Sequence, residues 1–505
     1  MSSTTIAPAE EARRARWRIP RASAPWLWGT VGAAVGFTGS WIPSYWGDEA
    51  ASVMSAERSW SSLAGMLGSV DAVHGLYYVM LHLWVGAFGS AEAATRLLSA
   101  LAAGVMVAGI VVLVRGSASD RFATMAGIAA VVLPRTTSMA SEARSYALGA
   151  AAAVWLTVLL LRLLRRRAGI GGWIGYAFGA AACMYLFLYL GLLLVVHGLY
   201  VAVMHRERFA SWLRSTAASV VLATPIVVLG YQQRAQIAFL ARRDYTTVRN
   251  VLVSQWFGHP VVALFAWYLV IAASAALVVA LVRGSAKDRP DQHLTVLALL
   301  WLVVPTALLL AGNLISPTYN VRYLSFCTPA AAILIARGAE AVGSLLAAHR
   351  RRIVPLGLVI ALVVVCVPVY LGQRTPWAKD GGSDWRDVAE YIATNAHHGD
   401  AVIFDQTTKP SRDPRILVSL YPHAFSDLQD LALRTSYAER THLWDAVVPN
   451  MVAVADAPGE TSIWAVELSS PFGRPADITA LLQDDFRVDA SHRINRTTVY
   501  HLTKE

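Results

Sequence analysis

The sequence predicts a mainly α-helical membrane protein of about eleven transmembrane helices, followed by a small α/β domain outside the membrane. Of its 505 residues, 56% are hydrophobic and only 15% are charged, and the mean hydropathy of +0.47 is too high for a soluble protein of this length. Lys and Arg occur in short clusters between apolar runs. From about residue 380 the chain becomes more charged and its apolar runs become short.

The net charge of +10 does not indicate a nucleic-acid-binding protein, because the basic clusters lie where cytoplasmic loops of a membrane protein should lie. The three cysteines are all in apolar runs, which predicts neither a CxxC metal site nor a disulfide framework. No nucleotide-binding Gly-rich loop is present. The sequence therefore identifies no cofactor with certainty, and a divalent metal stays open although no metal-ligand cluster supports one.

The first segment, residues 1–24, contains five arginines between positions 13 and 21 and precedes an apolar run from about Ala24 to Pro43. This order is typical of a signal anchor with a cytoplasmic N-terminus. The transmembrane domain is predicted over 25–373. With a cytoplasmic N-terminus, the residues that follow the first span, including Asp48 and Glu49, are predicted to lie outside the cell.

The region from Ala50 to Gly89 decides the topology of all later spans. It contains a polar helix-like segment, Ala51 to Leu67, and an aromatic apolar segment, His74 to Phe88. If the second segment does not cross, five later basic clusters lie in the cytoplasm, as the positive-inside bias favours. The second segment is also shorter than the roughly 20 residues that a span needs. Both segments are therefore predicted to lie along the outer surface.

The remaining spans are predicted from the apolar runs. The sequence leaves open whether both runs between 172 and 204 cross or one is re-entrant. The predicted ranges are 93–114, 119–135, 144–163, 172–184, 185–204, 211–230, 258–283, 293–313, 323–345 and 353–372.

The tail, residues 380–505, is predicted to be an extracytoplasmic α/β domain, joined by a linker at Thr375 to Gly382. Asp384 to Ala396 has a helical pattern. Strands are predicted at Ala401 to Asp405, Ser462 to Leu468 and Thr497 to Leu502.

Two adjacent carboxylates, Asp48 and Glu49, follow the first span within a belt of Trp and Tyr residues. They are either a solvated span end or a site, since a partly desolvated carboxylate can act as a general base. Other polar residues are predicted at the same face, among them His74, Glu142, Arg144 and Arg322. Each has an ordinary alternative as a helix-start acid, a snorkelling base, an interface anchor or a turn residue. Together they indicate a site for an anionic group beside a base.

Four motifs in order carry a resemblance to a known family. They are WGDEA at 46–50, HGLYY with LHLW and FG at 74–89, SEARSYAL at 141–148, and Arg322-Tyr323-Leu324. The chain from about 25 to 345 resembles the membrane-embedded GT-C glycosyltransferases. Among them it is similar to the family 39-like group of dolichyl-phosphate-mannose-protein mannosyltransferases and aminoarabinose transferases. This sequence has Gly75 where many members have a proline pair.

The resemblance implies a GT-C fold and transfer of a sugar, mannose or similar, from a polyprenyl-phosphate donor to a lipid, glycan or protein acceptor at the outer face of the bilayer. It implies that Asp48 is the catalytic base, with Glu49 beside it in the catalytic motif. The residues it implies for binding donor phosphate or substrate are His74, Glu142, Arg144, Tyr146, Arg322 and Tyr323.

The chemistry is consistent with these residue types, because arginines stabilise a phosphate leaving group while a carboxylate takes the acceptor proton. Two other classes are open: a transporter or flippase-like protein of lipid-linked sugars, and a polysaccharide polymerase or ligase. Transporters usually place polar residues at mid-membrane and show two similar halves, and neither feature is evident here.

Overall fold

The computed structural model describes residues 24–165, 169–242, 244–284, 290–347, 350–469 and 475–504. The basic N-terminal segment and parts of three of the predicted cytoplasmic clusters lie outside these ranges. Helices occupy every predicted span. They are α1 Ala24–Phe37, α5 Glu92–Arg115, α6 Asp120–Val132, α8 Tyr146–Arg165, α9 Ile170–Leu186, α10 Leu192–Met204, α11 Phe209–Gln232, α12 Pro260–Val282, α13 Pro290–Asn313, α14 Thr328–Ser344 and α15 Arg350–Gly372.

Seven helical segments in the described part of the chain are long and apolar enough to cross a membrane, by length and composition. Helices α1, α6, α9 and α10 are shorter, with 13 to 17 residues. Small residues bring α1 and α5 together. A Cβ on Gly104 of α5 would lie 2.5 Å from the carbonyl oxygen of Gly29 in α1, so close backbone packing of the type common between membrane helices requires glycine here.

The loop that follows α1 forms three short α-helices rather than the two that the sequence predicts: α2 Gly47–Glu57, α3 Trp60–Ser69 and α4 Gly75–Phe88. The predicted helix from Ala51 to Leu67 is wrong at its centre. The Ser59 side chain accepts a hydrogen bond from the Ser62 backbone N–H at 3.3 Å, which makes Ser59 the N-cap of a new helix. The predicted span 119–135 also ends early, at Val132, because Pro134 begins the short helix α7, Pro134–Ala140.

An irregular junction separates α9 from α10. Phe187 is extended, with φ −163° and ψ 112°, and residues Leu188–Gly191 form a 3₁₀ turn. Such a break at membrane depth is tolerated where protein or a polar cavity surrounds it. The break lies within the apolar run for which the sequence predicts two adjoining spans, 172–184 and 185–204.

The tail forms the α/β domain that the sequence predicts, and its strand β5, Ser462–Leu468, has the predicted bounds. Its main sheet contains β5 and four other strands: β1 Ala401–Phe404, β2 Gln429–Asp430, β6 Phe486–Arg493 and β7 Thr497–Lys504. The strand order is β2-β1-β5-β7-β6, with β1 parallel to β2 and β5, and β7 antiparallel to β5 and β6. Strands β2, β3, β4 and β6 are not predicted. The elements are α16 Trp385–Asn395, β1 Ala401–Phe404, α17 Ile416–Leu420, β2 Gln429–Asp430, β3 Leu433–Thr435, β4 Ala446–Val447, α18 Asn450–Ala455, β5 Ser462–Leu468, α19 Ala476–Leu481, β6 Phe486–Arg493 and β7 Thr497–Lys504.

The tail does not build its core alone. Ala50, Val53 and Met54 of α2 pack in one buried cluster with Trp385 of α16 and Phe404 of β1. The helix that begins with the two candidate acids is therefore shared between the membrane domain and the tail.

Candidate functional site

The segment before α2 is held by the tail. Trp46 is extended, and Asp48 and Glu49 lie in the first turn of α2, where a helix N-terminus favours negative charge. A Cβ on Gly47 would lie 1.9 Å from the Ser411 carbonyl oxygen, so the tail approaches this turn as closely as glycine allows. Arg386 of α16 donates hydrogen bonds at 2.9 Å to the carbonyls of Trp41 and Ile42.

Glu49 is saturated with partners. Arg96 of α5 donates to both of its carboxylate oxygens, at 2.7 and 2.6 Å, and the Ala143 backbone N–H donates to Oε1 at 2.8 Å. Glu49 and Arg96 are both 0% exposed. Burial by itself raises the pKa of Glu49, but the charge of Arg96 and its hydrogen bonds outweigh burial and lower it. This carboxylate has no free oxygen directed at solvent.

Asp48, the preceding residue, has different surroundings. Its side chain is 29% exposed, and its Oδ2 lies 2.8 Å from Nη1 of Arg322. Burial among protein atoms raises its pKa, but the charges of Arg322 and then Arg144 outweigh that effect and lower it. Asp48 is therefore ionised and open to a ligand.

Glu142 completes this ion-pair group. Its Oε1 lies 3.4 Å from the same Nη1 of Arg322, so one guanidinium nitrogen faces two carboxylates. The Arg322 guanidinium carbon lies 4.7 Å above the Trp46 ring, which fits a cation–π contact. The turn that carries Glu142 is fixed by Ser99, whose Oγ donates to the Glu142 carbonyl at 2.6 Å.

Arg144 forms no ion pair with a carboxylate among the residues that the structure describes. Its Nη1 donates to the Asp48 carbonyl at 3.1 Å and to Ser52 Oγ at 3.2 Å. Its Nη2 lies 3.3 Å from Nε2 of His74. Because a guanidinium can only donate, Nε2 accepts and the His74 proton is on Nδ1, which has no hydrogen-bond partner among the residues that the structure describes. Burial and then the charge of Arg144 hold the pKa of His74 well below its usual value, so the ring is neutral.

Aromatic rings close the site on the side of the α9–α10 junction. Tyr146 packs edge-on against Phe187, with centroids 5.8 Å apart, and His74 stacks on Phe187 at 6.0 Å. Tyr323 stacks on Tyr189 at 5.0 Å. The irregular junction thus delivers two aromatic side chains, Phe187 and Tyr189, to the candidate site.

The structure brings together every residue that the sequence analysis singled out, with Glu49 set apart in its own buried pair. Sequence reasoning missed several residues that support the site. Arg96 carried a signal, since an arginine near the outer end of a predicted span needs a partner. Lys379 of the linker donates to the Ser141 carbonyl at 2.8 Å, and nothing in its local sequence indicated this contact.

A cavity of about 190 Å³ lies beside the loop that carries Arg322, and it is lined by Leu240, Ala241, Asp244, Tyr245, Asn313, Pro317 and Tyr319. Within the described ranges, no group of three or more His, Cys, Asp or Glu side chains is arranged to hold a metal ion. The ionisable side chains described above are those of Asp48, His74, Glu142, Arg144 and Arg322.

Solved structures with the same architecture decide the fold. ArnT from Cupriavidus metallidurans bound to undecaprenyl phosphate aligns with a TM-score of 0.55 at 14% identity, covering 95% of this chain and 98% of that one. Its apo state gives a TM-score of 0.56 with the same identity and coverage. This protein has the GT-C fold. The apo oligosaccharyltransferase of Archaeoglobus fulgidus, at 9% identity, gives a TM-score of 0.51 and covers 88% of this GT-C chain and 70% of its own.

No family model matches this chain, and no curated protein matches it. The structural similarity extends over the tail as well as the membrane helices, as the 95% coverage requires. With its apolar helices, the GT-C fold makes this a multi-pass membrane protein.

Proposed function

We propose that this protein transfers a sugar from a polyprenyl-phosphate donor to an acceptor hydroxyl at the outer face of the membrane, with Asp48 as general base. The single observation that carries the proposal is the difference between two adjacent carboxylates. Glu49 is buried in an ion pair with Arg96, whereas Asp48 is ionised, accessible and flanked by Arg144 and Arg322. The likeness in fold to ArnT bound to undecaprenyl phosphate supports a donor of this class.

In this proposal the donor phosphate lies near Arg144 and His74. A buried guanidinium without a carboxylate partner is costly in free energy, and the His74 Nδ1–H is an unused donor beside it. An anionic ligand would satisfy both. A single displacement then follows: the acceptor oxygen attacks the anomeric carbon, Asp48 takes its proton, and the phosphate leaves, which inverts the anomeric centre.

Transfer is tested with purified protein and a radiolabelled polyprenyl-phosphate mannose, one of the donors that the family resemblance implies. Extracted membrane lipids and glycans serve as acceptors. We expect label to move from the donor to an acceptor in the wild-type protein and not in Asp48→Asn. Transport of the intact donor into vesicles, without cleavage of its sugar–phosphate bond, would instead support the flippase alternative.

Donor binding is tested separately with Arg144→Gln. Loss of a charged partner costs about 2 kcal/mol or more, which is roughly thirty-fold in affinity. The matched control is Arg214→Gln, because Arg214 is an exposed arginine whose Nε donates to the Ala210 carbonyl of its own helix at 3.2 Å. Equal donor affinity in the two variants would exclude Arg144 from the phosphate site.

Orientation is part of the proposal: the N-terminus is cytoplasmic and the tail is extracytoplasmic. The three native cysteines are buried, so single cysteines report without background. We expect a cysteine at Ser426, an exposed tail position, to react with an impermeant thiol reagent in intact cells. A cysteine at Ser117, between α5 and α6, should react only after the membrane is broken. The reverse pattern would place the site in the cytoplasm.

A further inference from the structure

Arg322 is shared between two carboxylates, and both are contacted by the same nitrogen of its guanidinium. Its Nη1 lies 2.8 Å from Asp48 and 3.4 Å from Glu142, and the side chain is 24% exposed. Its Nε and Nη2 groups donate no hydrogen bond to the part of the protein that the structure describes. Three N–H groups of the guanidinium are thus available to another anion.

Arg144 is fixed more firmly. Its two terminal nitrogens contact the Asp48 carbonyl, Ser52 Oγ and the His74 ring, and the residue is only 8% exposed. The site therefore contains one arginine held by neutral groups and one held by charges that can change during a reaction.

The proposed transfer moves one negative charge across the site. When the acceptor oxygen bonds to the anomeric carbon, its proton goes to Asp48, which becomes neutral. The electron pair of the broken carbon–oxygen bond goes to the phosphate, which changes from a diester with one negative charge to a monoester that gains a second. The place that most needs a cation therefore moves from Asp48 to the leaving phosphate.

We propose, on the basis of the proposed function, that Arg322 moves with this charge: it neutralises Asp48 in the free protein and turns to the phosphate as Asp48 becomes protonated. Glu142 is then a positioning residue. It contacts the same Nη1 from the other side and keeps Arg322 within reach of both partners. The Trp46 ring gives the guanidinium a flat surface along which it can turn without losing its cation–π contact.

The test measures binding of the dianionic product mimic, undecaprenyl phosphate, to the full-length protein in detergent. Asp48→Asn imitates the protonated base, so Arg322 should be released toward the phosphate. We expect Asp48→Asn to bind undecaprenyl phosphate roughly ten-fold more tightly than wild type, within the range typical of coupled sites. A fixed ion pair would give unchanged or weaker binding and would overturn the inference.

A double-mutant cycle assigns the gain to Arg322. Arg322→Gln should bind more weakly than wild type, and adding Asp48→Asn to it should then give no gain, because the cation to be released is absent. Glu142→Gln should reduce the gain that Asp48→Asn gives, because the group that keeps Arg322 within reach of the phosphate is then absent. A full gain in the Arg322→Gln background would overturn the inference while leaving the proposed function intact. Failure of the wild-type protein and every variant to bind undecaprenyl phosphate would instead remove the polyprenyl-phosphate donor, and the inference with it.

Discussion

Two ion-pair clusters lie on either side of the peptide bond between Asp48 and Glu49. The substrate-side cluster contains Asp48, His74, Glu142, Arg144 and Arg322, and the Asp48–Arg322 pair is 29% and 24% exposed. The anchor cluster contains Glu49, Glu92, Arg96 and Arg386, and the Glu49–Arg96 pair is 0% exposed on both sides. Consecutive residues on a helix point in different directions, so one turn of α2 serves both clusters.

The two clusters differ in how many N–H groups of their arginines already have a hydrogen-bond partner. In the anchor cluster, the Arg96 fork matches both oxygens of Glu49, and its Nη1 also donates to the carbonyls of Ser40 and Pro43. Each of these groups is therefore already engaged in a hydrogen bond within the protein. In the substrate-side cluster, one nitrogen of Arg322 is divided between two acids. An arrangement that leaves donors unused can accept a ligand, whereas a saturated one can only hold the fold.

Asp48→Asn should have the largest effect on activity. Asn keeps the size and one hydrogen-bonding oxygen but cannot take a proton, so turnover should fall by about a hundred- to ten-thousand-fold. The loss should appear in turnover and not as weaker donor binding. Thermal unfolding in detergent should stay near wild type. A variant with normal turnover would make the substrate-side cluster a solvated helix end.

Glu49→Gln should affect stability instead. Removing one partner of a buried ion pair leaves Arg96 uncompensated and costs about 3 to 5 kcal/mol of unfolding free energy. We expect a clearly lowered melting temperature and lower yield, measured beside Asp48→Asn. A stable Glu49→Gln protein that has lost turnover would reverse the roles of the two acids, and would restore Glu49 to the catalytic role that the sequence motif implies.

Arg386→Ala tests whether the tail positions the acid turn. Arg386 pairs with Glu92 at 2.6 Å and binds the carbonyls before α2, so its loss should cost about 1.5 to 3 kcal/mol and lower turnover. The control is Arg487→Ala in the same domain, whose pair with Asp489 is 64% and 32% exposed and should matter little. Equal effects of the two changes would mean that the tail is only a cap.

Glu467 extends the comparison to a buried carboxylate without a cation. It is 2% exposed on β5, and its Oε1 has no partner in the described structure. Burial, then the nearby charges of Asp405 and Asp477, raise its pKa from about 4.5 to about 9. Because the folded state keeps a proton that the unfolded state releases, stability should decrease as pH rises through this window.

Glu467→Gln should remove this decrease in stability with rising pH, and its effect on the melting temperature should be smallest at low pH. Melting temperatures of the full-length protein measured at pH 6 and pH 9 provide the check. We expect the melting temperature of the variant to exceed that of wild type by a few degrees more at pH 9 than at pH 6. Parallel pH dependences would show that Glu467 is already ionised in the folded protein.

The sequence by itself determined the class and the outline of this protein. The length and position of the apolar runs predicted the membrane helices because a bilayer fixes how many apolar residues a span needs. The short alternating runs of the tail predicted α16, β1, β5 and β7. Strands β2 and β4 were missed because two-residue strands carry no periodic signal.

The motifs also selected the residues of the site, since Asp48, His74, Glu142, Arg144 and Arg322 come from four separate stretches and meet in the structure. The family resemblance already implied Asp48 as the base, and the tertiary structure supplies the physical difference between the two acids. Glu49 meets Arg96, which is buried and donates to both of its oxygens, whereas Asp48 meets Arg322, which is partly exposed and shared with Glu142. The tertiary structure also decided that α2 packs into the core of the tail. Contacts between residues more than three hundred positions apart depend on how the helices pack, and a local pattern carries no information about them.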